Sequence, residues 1–511
     1  MGASAMVETA GPRTRTSRPR VDPQSQVRSG ALWTGLTWVL TVAGGPIITV
    51  VLVRSMSQSE FGNYAFVRSA VGLVAIASAF GLEATVARFA AIDLESGRGD
   101  SLPSYRSGLI IARYAAVCGA VLVALIAAAM HLTARGGVGA GVLLLSVPVA
   151  VCAPYAAVYG GSLRAVHRPV VSSVATLTSA AVFAGIVVTL LLAHATVTAT
   201  QAVVALSVES LVLLAVRRCG VPRNAVGGGV GRSWRLPLAA REMVPFAAAV
   251  LLTGLFATAV SELDVVVLGI DRGVDAVASY APLSMVANGV LGMPAIVGSF
   301  YVPAAARVAV RRDPQATARL YHLASRWSMV LCAPAIGVML LCPHAALTVL
   351  FSAASSSQAA WLRVLGVGVA AQVGFGFNGL TLDAQGLAGV VARRQAVCLA
   401  VSLLSCALLV PSLGAMGAAL ATSIALVLAN LMCSWSLVRR FGIWPWDWAL
   451  ARTSGGAVLG AVIGLAWSPG TPGSALVDCV AVAVGCLLGG LAGATTHRGV
   501  AAGLDALGLR R

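Results

Sequence analysis

The chain has 511 residues, of which 58% are hydrophobic and 10% charged, and its mean hydropathy is +0.88. A water-soluble protein of this length cannot bury so much apolar surface, so lipid must solvate much of it. The net charge of +17 comes from 35 arginines without any lysine, spread over many separate segments rather than gathered in one patch with interleaved aromatic residues. Nucleic-acid binding is therefore disfavoured, and arginines that face anionic membrane lipids are expected instead.

The first segment, residues 1–30, is rich in Arg, Ser, Thr and Pro and has almost no apolar residues. Such a composition predicts a disordered tail. The next stretch, residues 31–53, is too long for the apolar core of a signal peptide and has no convincing cleavage site. It is predicted to be the first retained membrane span.

Fourteen apolar segments are long enough to cross a bilayer, since a span needs about 20 residues at a rise of about 1.5 Å each. The thirteenth is short, and only the turn at residues 411–414 separates the eleventh from the twelfth. The predicted spans are 31–53, 64–87, 108–131, 138–160, 170–193, 197–216, 244–269, 280–302, 326–346, 361–382, 395–412, 415–438, 453–468 and 476–494.

The arginines are concentrated in alternate gaps between these spans, and cytoplasmic loops retain positive charge because it resists translocation. The opposite gaps hold only Arg54, Arg135 and Arg272. Both termini are therefore predicted to be cytoplasmic, which agrees with an even number of spans. The lack of lysine is typical of a GC-rich bacterial genome, so the predicted location is a bacterial plasma membrane. The predicted cytoplasmic gaps carry Arg13, Arg15, Arg18, Arg20, Arg28, Arg88, Arg98, Arg106, Arg164 and Arg168, the arginines of residues 217–241 and 307–326, and Arg393, Arg394, Arg439, Arg440, Arg452, Arg498, Arg510 and Arg511.

An internal repeat divides the chain. Tyr64-Ala65 and Tyr280-Ala281 lie 216 residues apart, and the sequences GSLRA at 161–165 and GLTLDA at 379–384 have a similar offset. Six spans per repeat give both halves the same orientation, as in transporters that rock two bundles about a central site. The predicted division is a tail (1–30), an N-lobe of six spans (31–216), a basic linker (217–243), a C-lobe of six spans (244–438) and a final segment with spans 13 and 14 and a cytoplasmic tail (439–511).

Four loose stretches, in this order and spacing, resemble the Wzx-type polysaccharide flippases of the multidrug/oligosaccharidyl-lipid/polysaccharide superfamily. The resemblance extends from about residue 30 to about residue 440. The stretches are SEFGNYAF at 59–66 leading to FGLEATVARF at 80–89, LDVVVLG at 263–269 with Tyr280-Ala281, LDAQG at 382–386, and GAMGAALAT at 414–422.

This resemblance implies an all-α polytopic membrane protein with two six-helix lobes around a cavity that opens alternately to each side. It also implies a cargo, an oligosaccharide on polyprenyl diphosphate that moves from the inner to the outer leaflet during synthesis of lipopolysaccharide or exopolysaccharide. The implied partners are this lipid-linked oligosaccharide, membrane lipids, H+ or Na+ as a coupling ion, and polysaccharide polymerase machinery. No cofactor, metal or nucleic acid is expected. Lipid II flippases and multidrug exporters share the fold and remain alternatives.

Cationic side chains inside or at the end of the spans are candidate ligands for a diphosphate, because guanidinium is permanently charged and fork-shaped. They are Arg68, Arg113, Arg363 and, at the inner end of span 2, Arg88. Each lies near a span end, so snorkelling to the interface is the structural alternative. Glu83 lies five residues before Arg88, too far round a helix for an ideal pair.

Three acidic residues are candidates for ion coupling, because a carboxylate inside a span usually faces a wet cleft. Glu209 lies near the middle of span 6, with structural pairing to an arginine as its alternative role. Glu262 and Asp264 lie toward the outer end of span 7 and point roughly 200° apart on a helix, so at most one of them faces the cavity. Asp264 matches the family stretch, although Val265 follows where a basic or bulky residue is common.

Amides within the spans are candidates for hydrogen bonds to sugar hydroxyls or to neighbouring helices. They are Asn288, Gln372, Asn378 and Asn430, of which Asn288 and Asn378 are the chosen cavity candidates. Helix breaks are expected at Gly44-Gly45-Pro46 and at Met293-Pro294, where they permit bending during alternating access.

No enzymatic motif is found: HExxH, a P-loop, GxSxG with partners, and paired carboxylates with a flanking histidine are all missing from the sequence. A saccharide polymerase or ligase would need a large outer loop, whereas the longest outward gap is roughly residues 343–360. An exporter of cationic drugs would need an aromatic-rich cavity and a carboxylate in the first lobe. Only 6% of the residues are aromatic, and the first six spans contain only Glu83 and Glu209 as acids. A flippase is therefore the favoured function.

Overall fold

The computed structural model describes part of the chain, and the predicted tail of residues 1–30, the Gly-rich run at 227–229 and the chain after residue 494 lie outside the described residues. The described residues are 37, 40, 44–95, 103–132, 140–166, 168–193, 196–222, 238–311, 313–352, 355–467 and 474–494.

Helices account for almost all of these residues. In chain order they are α1 (Gly44–Ser55), α2 (Gln58–Ala79), α3 (Leu82–Glu95), α4 (Pro103–Leu132), α5 (Ala140–Leu144), α6 (Val147–Ala165), α7 (Pro169–Leu192), α8 (Ala199–Gly220), α9 (Leu238–Arg272), α10 (Val274–Gly292), α11 (Pro294–Arg311), α12 (Pro314–Leu341), α13 (Pro343–Phe351), α14 (Ser356–Gly374), α15 (Asn378–Ala384), α16 (Ala388–Leu413), α17 (Ala415–Phe441), α18 (Trp448–Trp467) and α19 (Ala475–Ala494).

The polytopic all-α architecture is confirmed. Among the described residues, thirteen helical segments are long and apolar enough to cross a membrane, and α1 is a shorter apolar helix within the predicted first span. Predicted spans 2, 4, 8 and 10 each consist of two consecutive helices, which are α2–α3, α5–α6, α10–α11 and α14–α15. The turn that separates α16 from α17 lies at Gly414, as predicted from residues 411–414.

Several predicted boundaries were too short. The arginine-rich run at 307–326 was read as a loop, but α11 continues to Arg311 and α12 begins at Pro314, with the Asp313 side chain accepting from the N–H groups of Gln315 and Ala316. A hydropathy pattern ends at the first charged residues, whereas the helix continues into the interface, where those residues are solvated. The outward gap at 343–360 likewise contains a short helix, α13.

The break between α10 and α11 occurs at Met293, as predicted, because Pro294 has no N–H to continue the hydrogen-bond ladder. Other breaks inside the predicted spans were missed, and two of them lie at glycines with positive φ: Gly81 between α2 and α3 at +63°, and Gly376 between α14 and α15 at +66°. A Cβ atom at Gly81 would lie 2.6 Å from the Ala247 carbonyl oxygen, so both the backbone angle and the space favour glycine.

The parallel repeat is visible in the helix boundaries. The first residues of α2 and α10, Gln58 and Val274, are 216 residues apart, and the same separation holds for Ala199 and Ala415, which begin α8 and α17. This offset equals that of the Tyr-Ala pairs. The repeated unit is therefore a set of helices in the same order and orientation.

The helices form two lobes and an appended pair. Helices α2–α8 pack on one another as the first lobe, and α9–α17 form the second lobe. Helices α18 and α19 pack along glycine-lined faces, with Gly460 against the Gly485 carbonyl, and together they cover α12. We call the end where α3, α6, α8, α11 and α17 finish the arginine-rich face, because it carries Arg164, Arg218, Arg311 and Arg439. The opposite end, with Arg54 and Arg272, is the arginine-poor face.

Candidate functional site

The two lobes meet where α2 packs against α9 and α10. Gly62 on α2 fits closely against the Val274 carbonyl at the start of α10, and Gln58 donates a 3.4 Å hydrogen bond to the Ser279 hydroxyl. Both contacts lie near the arginine-poor face. A side chain larger than hydrogen at position 62 would collide with backbone, so this glycine permits the close approach of the lobes.

An ion pair crosses this interface deeper in the membrane. Arg68 Nη1 on α2 lies 3.5 Å from Glu262 Oε1 on α9, and the two side chains are 38% and 15% exposed. The Ser69 hydroxyl donates a 2.6 Å hydrogen bond to the other Glu262 oxygen. A charge inside a span is expensive unless it is paired or faces water. The pair meets the first condition, because each charge has a partner of opposite sign.

A second carboxylate completes this group, which we call the interlobe cluster (Tyr64, Arg68, Glu209 and Glu262). Glu209 reaches it from α8 and is half-buried, close enough to Arg68 for electrostatic attraction. Tyr64 is buried beside the same charges. The cluster thus holds one guanidinium against two carboxylates, which leaves one negative charge uncompensated within it when both acids are ionised.

Asp264 lies on the other side of α9, inside the second lobe. It is 1% exposed, and its carboxylate accepts hydrogen bonds from the Tyr280 hydroxyl at 2.6 Å and the Thr422 hydroxyl at 2.9 Å. Further donors are the Ser284 hydroxyl at 3.4 Å and the Val265 N–H at 2.8 Å. All these partners are neutral and belong to the second lobe. Glu262 and Asp264 therefore face different surroundings, as their spacing on one helix requires.

The other predicted arginines lie outside the interlobe cluster. Arg88 covers the face of the Phe246 ring, with its guanidinium carbon 4.7 Å from the ring centre, and Arg113 is half-buried near Tyr155. Arg363 is exposed and donates to the Leu340 carbonyl at 3.3 Å. Of the four candidates, Arg68 is the one seen to pair with an acid of the opposite lobe among the described residues.

The arginines near the arginine-poor face share a structural role. Arg54 donates to the carbonyls of Val349 and Leu350 near the end of α13, and Arg272 donates to the Pro411 carbonyl near the end of α16. Arg363 does the same near the end of α12. The last carbonyls of a helix have no partner within it and carry partial negative charge, so these cations compensate the helix ends.

Glu83 is paired, but not with Arg88. Its carboxylate lies 2.7 Å from Arg164 Nη2 and 3.5 Å from Arg217 Nη1, which joins α3 to the ends of α6 and α8. Arg217 also donates to the Ala156 carbonyl at 3.0 Å. The ion pairs hold three first-lobe helices together at the arginine-rich face.

The amides bond helices together. Asn288 donates to the Ser261 carbonyl at 2.9 Å, from α10 to α9. Asn378 donates to the Asn430 side chain at 3.1 Å and the Ser434 hydroxyl at 3.0 Å, and Asn430 donates to Gln372 at 2.5 Å. Asn378, Asn430 and Gln372 also border a cavity in the second lobe. Arg394 and Gln395 line the same cavity, and neither is predicted from the sequence to bind the cargo. Arg394 had been interpreted only as a topology-setting arginine.

A family model described as "Polysaccharide biosynthesis protein" matches residues 27–310, more than half of the chain. The chain belongs to this family. No curated protein sequence matches it significantly.

Solved structures with the same fold agree with this assignment. The lipid II flippase MurJ in an inward closed conformation has a TM-score of 0.64 and 12% identity, covering 89% of this chain and 97% of MurJ. The eukaryotic MATE transporter AtDTX14 has a TM-score of 0.56 and 12% identity, covering 81% and 96%. An inward-facing multidrug resistance MATE family transporter of the MOP superfamily has a TM-score of 0.54 and 13% identity, covering 83% and 99%. The protein is therefore a multi-pass membrane protein of the polysaccharide biosynthesis family that shares the fold of these flippases and transporters.

Proposed function

We propose that this family member moves polyprenyl-diphosphate-linked oligosaccharide from the inner to the outer leaflet by alternating access, for synthesis of lipopolysaccharide or exopolysaccharide. The arginine-rich face is cytoplasmic in this proposal, as are both termini. The observation that carries it is the partly exposed Arg68–Glu262 ion pair between the lobes. A diphosphate head must cross about 30 Å of hydrocarbon, and a permanent cation between two movable lobes supplies a site for it.

Substrate binding and lobe movement are linked through Arg68 in this mechanism. Phosphate oxygens and the Glu262 carboxylate are alternative acceptors for the same guanidinium. A diphosphate that takes Arg68 weakens the ion pair joining α2 to α9, so the substrate favours a state in which the lobes separate at that point. A ligand shifts a conformational equilibrium only through such a difference in binding to the two states.

The coupling ion enters through the acids in this mechanism. When Arg68 turns to the diphosphate, Glu209 and Glu262 remain without their cation, and uptake of H+ or Na+ compensates them. Asp264 is the second coupling candidate, because it is a buried carboxylate held only by neutral donors. The remaining predicted substrate contacts, Arg88, Arg113, Asn288 and Asn378, stay predictions, whereas Arg363 compensates the end of α12 in this proposal.

Lipid II is the second candidate cargo, because MurJ, described as a lipid II flippase, has the same fold over 89% of the chain. The partners in the main proposal are the lipid-linked oligosaccharide, membrane lipids and the polymerase machinery that consumes it.

The test is deletion of the gene, followed by analysis of lipid-linked intermediates, surface polysaccharide and drug sensitivity in one strain. We expect loss of surface polysaccharide and accumulation of lipid-linked units on the inner leaflet. Normal polysaccharide with new sensitivity to cationic drugs would overturn the proposal in favour of an exporter. Accumulation of lipid II with normal surface polysaccharide would instead identify lipid II as the cargo.

Complementation then tests the ion pair. Arg68→Gln and Glu262→Gln should each lower export at least about tenfold, equivalent to ~1.4 kcal/mol, whereas Arg363→Gln removes the same charge from an exposed helix end and should retain export. Equal export by all three variants would remove Arg68 from the mechanism. Immunoblots of membranes check that expression is matched.

A further inference from the structure

The second lobe contains a cavity of about 340 Å³ that lies between its broken helices. Its walls come from α9–α12 and α14–α17, and it adjoins both the Met293 break and the Gly376 break. Cavities of this size are typical of small-molecule sites, and helix breaks inside a transporter commonly border a binding site. Its polar lining residues are Thr253, Ser328, Gln372, Asn378, Asp383, Arg394, Gln395 and Asn430.

Three polar atoms in this wall are buried and have no hydrogen-bond partner among the described residues. They are Arg394 Nη1, Gln395 Oε1 and the Ser328 hydroxyl. A buried polar atom without a partner costs about 1–3 kcal/mol, so a site that gathers three of them is built to be completed by a polar molecule. The three atoms come from α12 and α16, on two sides of the same space.

The chemistry of the wall indicates the class of ligand. Arg394 offers donors only, Gln395 Oε1 offers an acceptor, and Ser328 offers both. Asp383, at the exposed rim, adds another acceptor. A sugar ring carries hydroxyls that each donate and accept, and its C–H faces pack on apolar groups such as Phe256 and Leu291 in the same wall. A purely anionic or purely apolar ligand would leave half of these groups without a partner.

The position of the cavity fits a substrate held at the interlobe cluster. Phe256, in the cavity wall, and Glu262, in the cluster, lie six residues apart on α9, a rise of about 9 Å along the helix. The cavity lies nearer the arginine-rich face than the interlobe cluster does. A sugar linked to a diphosphate at Arg68 therefore lies within reach of the cavity.

We propose that this second-lobe cavity binds one hydroxyl-rich sugar ring of the cargo, with Arg394, Gln395 and Ser328 as the residues that select the saccharide. This inference rests on the proposed function and adds a specificity site to it. The first lobe has no equivalent of two amides that line this cavity, since Gln372 and Asn430 correspond to Ala156 and Leu214 at the repeat offset of 216.

Native cysteines report on occupancy. Cys398 and Cys433 border the cavity, and Cys219 is exposed at the end of α8. Full-length protein in nanodiscs is treated with N-ethylmaleimide, with and without glucose, N-acetylglucosamine, rhamnose or galacturonic acid, and each cysteine peptide is quantified by mass spectrometry. We expect at least one sugar to slow labelling of Cys433 several-fold and to leave Cys219 unchanged.

Two neighbouring arginines supply a matched control. Arg394 lines the cavity, while Arg393 is exposed on the same helix turn, so Arg394→Gln and Arg393→Gln remove the same charge. Arg394→Gln should abolish sugar protection of Cys433 and lower polysaccharide export, and Arg393→Gln should do neither. If Arg394→Gln does not fold, as judged by gel filtration, Gln395→Leu decides the question with the same readouts.

The outcomes separate the site from the function. If no sugar protects Cys433 and both arginine variants export normally in a strain that needs the wild-type protein, the cavity is water-filled space and the inference is overturned, while the flippase proposal stands. If deletion has no effect on polysaccharide, the flippase proposal fails. Protection of Cys433 by a sugar would then still assign a saccharide site to the cavity.

Discussion

The two lobes use equivalent positions for different chemistry. Tyr64 and Tyr280 occupy the same place in the repeat, and four residues later the first lobe has Arg68 where the second has Ser284. Arg68 pairs with Glu262 across the interface. Ser284 instead bonds within its own lobe. The same position of the repeat therefore makes a charged contact between the lobes in the first lobe, and a neutral contact within the lobe in the second.

The contact between the lobes and the contacts within the second lobe differ in whether they must change during transport. The Arg68–Glu262 pair must break for the lobes to separate, because its two members belong to different lobes. The four donors to Asp264 stay in one lobe and need not break when the lobes move. The first group suits a conformational switch and the second suits a rigid binding site.

The largest expected effect comes from preventing separation of the lobes. Gln58 and Ser279 meet across the interface at 3.4 Å. In Gln58→Cys with Ser279→Cys, a short bis-methanethiosulfonate cross-linker should abolish export, because it ties α2 to α10, and reductant should restore it. Each single variant treated in the same way is the control. Full export by the cross-linked protein, with the linked peptide verified by mass spectrometry, would contradict alternating access at this interface.

The next largest effect is expected at Asp264 and the hydrogen bonds that it accepts within the second lobe. Asp264→Ala leaves the buried hydroxyls of Tyr280 and Thr422 without an acceptor and should destabilise the protein by about 2–3 kcal/mol. Asp264→Asn keeps an acceptor oxygen and should cost about 1 kcal/mol, yet it removes the ionisable group. Thermal unfolding in detergent measures the first difference. Ion-dependent export by Asp264→Asn equal to wild type would remove Asp264 from the coupling candidates.

A smaller loss of stability is expected from the ion pairs inside the first lobe. Glu83→Gln removes the partner of Arg217, whose side chain is only 11% exposed, and should destabilise the protein by about 1–2 kcal/mol, since Glu83 and Arg164 are themselves partly solvated. Export per folded molecule should be unchanged, because these bonds do not cross the lobes. Loss of export by Glu83→Gln without loss of stability would show instead that Glu83 takes part in transport.

The smallest effect is expected at the arginine-poor face. Arg363→Gln removes an exposed cation from the end of α12 and should change stability by less than about 0.5 kcal/mol. Export should remain at the wild-type level, as measured by surface polysaccharide. A loss as large as that of Arg68→Gln would instead place Arg363 among the substrate contacts, and its role would then not be limited to compensating a helix end.

The membrane architecture could be predicted from the amino-acid sequence alone. Apolar segments of sufficient length and the repeat of Tyr-Ala pairs predicted the spans and the two lobes, because the bilayer imposes one length and one solvent on every span. The Met293 break was also predictable, since Pro294 removes a backbone donor locally. Even the opposite directions of Glu262 and Asp264 followed from helical geometry alone.

The contacts between side chains of different helices could not be predicted from the sequence. Arg68, Arg88, Arg113 and Arg363 look alike in the sequence. In the structure the first pairs with an acid of the other lobe, the second covers an aromatic ring, the third lies half-buried near Tyr155 and the fourth compensates a helix end. The cavity beside Arg394 depends on the Gly376 break and on six other helices. Hydropathy and spacing specify local structure, whereas pairing and cavities depend on contacts between residues as far as 296 positions apart, which no local pattern encodes.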